Sequence, residues 1–128
     1  MNYSASMKQY VNDDIAAKTT NLDPHKIIKE ILTDLKKNME TLAYSLDNEP
    51  TISSMKSASF SKCLTAVYIL QSSLDFEKGG EIAENLYNLY EFCKNGIMKG
   101  FTKKNSQFIY DAIPPINEIL EGWSQINK

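Results

Sequence analysis

Apolar residues along this chain recur at three- and four-residue intervals instead of alternating, the period of helices that bury one face. The first run opens at Asp23-Pro24, a capping side chain followed by a proline at the first helical position. Behind it Ile27, Ile28, Ile31, Leu35, Met39, Leu42 and Leu46 form one stripe, which Asp47-Asn48-Glu49-Pro50 interrupts. A second run over residues 51–74 carries Ile52, Met55, Cys63, Val67, Leu70 and Leu74. Its serine-rich first half has weak helix propensity, so its helicity depends on packing. Gly79-Gly80 reads as the end of the next turn. Ile82, Leu86, Leu89, Tyr90, Cys93 and Ile97 make a third stripe, with Gly100 as its natural stop. A fourth segment holds Phe108, Ile109, Ala112, Ile116, Ile119, Leu120, Trp123 and Ile126.

No period-two run bounded by turn residues argues for a sheet. Four amphipathic segments joined by short turns predict an all-α fold, an antiparallel up-down four-helix bundle. The chain reads as one domain over residues 1–128, with 1–22 as a mobile N-terminal arm and 23–128 as the bundle. Pro114-Pro115 falls inside the fourth segment. A helix-interior proline loses a hydrogen bond and clashes with the preceding turn, at about 3 kcal/mol. The residue before it, Ile113, is also biased away from helix. The fourth helix is therefore expected to be short before Ala112, kinked or broken at Ile113, and resumed near Pro115, where a first-turn proline is tolerated.

Composition narrows the function. Hydrophobic residues are 42% and charged residues 23% of the 128, a globular balance. No run approaches the roughly 18 apolar residues that span a bilayer, and the first twenty residues lack the apolar core of a secretory signal. The expectation is a cytosolic protein with no membrane insertion. Net charge is −2, and all 14 basic residues are lysine. Without arginine the bidentate fork favoured for phosphates and base edges is missing, which argues against nucleic acid. Lys99, Lys103 and Lys104 read as a solvated turn.

Catalytic chemistry is equally poorly supported. His25 is the one histidine, which excludes a di-metal bundle built on Glu-x-x-His pairs, and it reads as a surface residue of a first helical turn. Gly79-Gly80 has no nucleotide-loop spacing. Cys63 and Cys93 show no metal spacing; they read as free buried thiols at similar height on neighbouring helices. No catalytic residue, metal or cofactor is expected.

Residues 74–90 read LDFEKGGEIAENLYNLY. This resembles the most characteristic stretch of the flagellar secretion chaperone (FliS) family, in which a leucine-aspartate helix end leads through EKGGEIA into an NLxxLY run. The likeness continues at Met7-Lys8-Gln9-Tyr10, similar to the family's tyrosine-bearing arm. It extends to Asp23-Pro24-His25-Lys26-Ile27-Ile28, similar to its SPxxLI helix start, and to Gly122-Trp123-Ser124-Gln125-Ile126, similar to its AWxxI pattern. Departures are Lys29-Glu30, Thr33-Asp34, Met7 in place of an arm tyrosine, Cys93-Lys94-Asn95-Gly96 and Pro114-Pro115. The resemblance implies a non-enzymatic cytosolic chaperone that binds the C-terminal segment of flagellin, blocks premature polymerisation and delivers the subunit to the flagellar type III export gate. The alternative is a diverged bundle that sequesters another export or transcription-control protein. The candidate client-binding residues are Tyr10, Ile27, Ile31, Tyr87, Tyr90 and Phe92, the aromatics on the third segment because not all can point inward.

Overall fold

The computed structural model describes residues 23–49 and 53–126, all of them in helices or short connections. Helix α1 is Pro24–Asn48, α2 Ser54–Ser72, α3 Phe76–Lys103, α4 Gln107–Tyr110 and α5 Ile113–Ile126. Asp23 caps α1 as expected, its side chain accepting from Lys26 N at 2.9 Å. Ser53 caps α2 in the same way through Lys56 N at 3.1 Å. The serine-rich start of α2 is helical, and Lys56, 3% exposed, turns back to donate to Glu49 O at the end of α1.

The helices form an antiparallel bundle in which α1 packs on α2, α4 and α5, and α3 on α2, α4 and α5. Leu32, Leu35, Met39 and Leu42 of α1 meet Cys63, Val67 and Leu70 of α2. Tyr90, Cys93 and Ile97 of α3 join them, with Ile109, Ala112, Ile113 and Ile116 closing the core. On α1 the buried stripe passes through Leu32, with Ile27, Ile28 and Ile31 only half-buried. Met55, expected in the second stripe, is 77% exposed, while Ile52 lies outside the described residues.

Glycines account for two corrections. Gly79-Gly80 does not end the turn before the third helix. Phe76–Gly79 is already helical, capped by Asp75, and Gly80 (φ 48°, ψ −123°) is a kink inside α3. Nor does Gly100 stop α3. The helix ends at Lys103 with Lys104 left-handed (φ 54°, ψ 41°), where Lys104 N donates to Phe101 O and Asn105 N to Gly100 O, a Schellman closure. Gly100 serves close packing instead: a Cβ there would lie 2.6 Å from Ile109 Cγ1.

The fourth segment is broken where the prolines predict. The single turn α4 ends at Tyr110, Asp111-Ala112 turn the chain, and α5 restarts at Ile113, so both prolines occupy its first turn. The far end of α5 is clasped to α1. Trp123 Nε1 donates to His25 O at 2.9 Å, and His25 Nε2 donates to Trp123 O at 2.8 Å. The two rings stack with centroids 5.0 Å apart and planes 12° off parallel. His25 is thus a half-buried tie between chain regions, not the free surface residue its sequence position implied.

Candidate functional site

The described interior holds no reactive group. Burial pushes the thiols of Cys63 and Cys93 up to about 12, which keeps both protonated. They are free, and Cys93 Sγ donates to Ala112 O at 3.4 Å. Burial, reinforced by Cys93, also raises Tyr90 to about 12. Among the described residues no three His, Cys, Asp or Glu side chains come together as a metal site. No described helix is long and apolar enough to cross a membrane.

What the molecule does present is uncovered apolar surface on α3. The side of α3 that buries itself runs Ala83, Leu86, Tyr90, Cys93, Ile97 and Gly100. Near its C-terminal half α4 and the turn after it lie directly on this helix. A Cβ on Gly96 would stand 2.8 Å from Phe108 O, and Cys93 bonds Ala112. One and two heptads before Gly96 come Leu89 and Ile82. A seven-residue step drifts only about 20° round a helix, so both face the same flank. Among the described residues no helix covers them in this way: Ile82 is 71% and Leu89 37% exposed. The reason is the break at residues 111–113. Beyond it α5 is held to the start of α1 by the His25–Trp123 clasp, and the flank of α3 before Cys93 stays open. Phe92, 51% exposed, borders this strip.

Tyr87 occupies the other flank, five residues and therefore about 140° from Phe92. It is 39% exposed and lies 6.1 Å from the ring of Phe76. Beside it Gln71 of α2 donates to Glu91 Oε1 at 2.9 Å. That bond, with Lys94 at 3.0 Å, holds the Glu91 carboxyl below its usual range.

The residues singled out from sequence therefore divide. Tyr87 and Phe92 are exposed on α3, on different flanks. Ile27 and Ile31 are half-buried on α1, Ile31 against the core. Tyr90 is corrected: at 2% exposure it sits mid-stripe between Leu86 and Cys93 and presents no surface. Tyr10 lies outside the described residues. Sequence reading missed Ile82 and Leu89, which it placed in the core stripe. The signal available was their alignment with Gly96, a residue whose missing side chain marks the flank that α4 covers.

Residues 6–128 match the sequence family described as Flagellar protein FliS. The chain is 30% identical over 123 residues to the Flagellar secretion chaperone FliS of Vibrio cholerae, covering 94% of this chain and 88% of that one. It is 26% identical over 127 residues to the protein of the same name from Salmonella typhimurium, covering 98% and 93%. To Flagellar secretion chaperone FliSB of Pseudomonas aeruginosa it is 25% identical over 122 residues, covering 95% of each. With the helical bundle and a match across nearly its whole length, this chain belongs to the FliS family of flagellar proteins.

Proposed function

We propose that this protein is a cytosolic export chaperone that binds the C-terminal segment of flagellin, prevents its premature polymerisation and hands it to the flagellar type III export apparatus, without catalysing a reaction. Family membership and the relatives' names as secretion chaperones support the class. The observation that carries the binding mode is the open apolar strip of Ile82, Leu89 and Phe92 beside a closed core.

The physics is that of a helix laid in a groove. Ile82 and Leu89 are separated by about 10.5 Å along the helix axis, two turns. That spacing fits the i and i+7 anchors of an amphipathic client helix. A client segment that orders only on binding can wrap several such surfaces, at the cost of its chain entropy. While its apolar face is occupied it cannot pack against another subunit. The proposed contacts are Ile82, Leu89, Phe92 and Tyr87 on α3, Ile27 and Ile31 on α1, and Tyr10 in the 1–22 arm.

Calorimetric titration with monomeric flagellin tests this. The complete subunit should bind with a large negative heat-capacity change, the mark of apolar burial coupled to folding, and flagellin lacking its C-terminal segment should not bind. Equal affinity for both forms would refute the proposal.

A further inference from the structure

Charge is segregated along α3, and the helix itself accounts for only part of it. Residues 75–91 carry Asp75, Glu77, Glu81, Glu84 and Glu91 against Lys78 alone, whereas residues 92–108 carry Lys94, Lys99, Lys103 and Lys104 and no acid. The macrodipole of α3 favours Glu77 in its first turn and Lys103 in its last. That effect fades within one turn, and Lys99 lies farther in than that. Among the described residues only Lys94 of the four lysines is in an ion pair, with Glu91. Lys99, Lys103 and Lys104 are exposed.

The basic half is continuous with the open apolar strip. Lys99 and Lys103 follow Phe92 by seven and eleven residues, and so stand within about 20° of it round the helix. Glu81 precedes Phe92 by eleven and shares the same edge. One margin of the Ile82–Leu89 strip therefore runs from a carboxylate through Phe92 to two ammonium groups, the second standing 5.6 Å over the ring of Phe108. From Glu81 to Lys103 it is about 33 Å long, the length of a helix of roughly six turns. A helix seated on the strip meets this margin along its whole length, so its flanking charges select it and set its direction.

We infer that α3 orients the client: the helical segment of flagellin lies antiparallel to α3, with acidic residues at its N-terminal end against Lys99 and Lys103. Helices in general favour acids in their first turn and bases in their last. Such a helix matches this margin only when antiparallel, its basic last turn falling beside Glu81, and the two macrodipoles then also oppose. This rests on the chaperone reading above and adds the charge and direction of what the strip receives.

The test uses the full chain with monomeric flagellin. Lys99→Glu/Lys103→Glu should weaken binding about tenfold or more, chiefly through the association rate, with a flatter dependence of affinity on salt and an unchanged Tm. Lys37→Glu/Lys62→Glu makes the same change in net charge at exposed positions on α1 and α2 and should bind nearly as the parent does. Equal losses in the two variants, or no loss in the first, overturn the charge claim. Direction is read by nuclear magnetic resonance with one nitroxide on flagellin. A label at the N-terminal end of the bound segment should broaden amide signals around residues 99–103, and one at its C-terminal end those around residues 81–85. The reverse pattern, or both labels broadening both regions alike, overturns the orientation. Failure of the unaltered chain to bind flagellin overturns the chaperone reading, and this inference with it.

Discussion

The same substitution, glycine to alanine, should have opposite effects at Gly100 and Gly122. Both sit in helices, and neither has a positive φ, so backbone strain is absent from both. Alanine therefore gains about 1 kcal/mol of helix stability at each. At Gly122 that gain stands alone, because the position is exposed and a new Cβ meets nothing within 4 Å. At Gly100 the Cβ would stand 2.6 Å from Ile109 Cγ1, 2.9 Å from its Cδ1 and 3.0 Å from Asn105 O. Ile109 is 0% exposed and cannot swing away, and Asn105 belongs to the Schellman closure of α3. Overpacking of this kind costs about 2–3 kcal/mol, which leaves a net loss of about 1–2 kcal/mol. For a domain this size each kcal/mol moves Tm by roughly 3–5 °C. Urea unfolding followed by far-UV circular dichroism reads both variants against the parent. A Gly100→Ala variant as stable as Gly122→Ala would show that α3 and α4 do not approach as described.

Three further outcomes are open to direct measurement. Ile82→Asp and Leu89→Asp should each lower flagellin affinity tenfold or more, and the more exposed Ile82→Asp should leave Tm within a few degrees; calorimetry and a thermal scan check this. His25→Ala should cost about 1–2 kcal/mol through the lost ring stack and hydrogen bond and alter the emission of Trp123, the one tryptophan. Because Cys63 and Cys93 go from 9.0 to about 12 on folding, the unfolded chain ionises first. Their stabilising effect is full below pH 9 and declines as pH rises, by about 1.4 kcal/mol per thiol at pH 10; denaturant midpoints from pH 8 to 10 should fall less in a Cys63→Ala/Cys93→Ala variant.

Much of the bundle was legible in the residues because its signals were local. Asp23-Pro24 starts a helix by capping chemistry, and Pro114-Pro115 breaks one by sterics, wherever the segment packs. The facing of α3 was not legible in the same way. Hydropathy gives weight to Ile82 and Leu89, whereas the buried side that holds the expected Tyr90, Cys93 and Ile97 is completed by Ala83 and Gly100, small residues that let neighbouring helices come close. Gly80 and Gly100 carry the same one-letter punctuation, yet one answers to a backbone angle and the other to a neighbour's side chain. Only the packed structure separates those causes. Tyr90 followed from the same difficulty: Tyr87, Tyr90 and Phe92 surround the stripe and not all can point inward, and the register of Tyr90 between Leu86 and Cys93 decides that it is the one that does.

The His25–Trp123 clasp also bears on how the chain finds its fold. The contacts of α1 with α2 and of α2 with α3 join neighbours in sequence, whereas the clasp joins residues 98 positions apart. Closing so long a loop carries an entropy cost that grows with the logarithm of its length, and such non-local pairings slow folding. The two hairpin-like pairs can therefore order early, leaving the closure of the ring of helices as the late step. A circular permutant that links residue 126 to residue 23 and reopens the chain elsewhere would turn this most distant pairing into a local one, and with it the order in which the helices assemble.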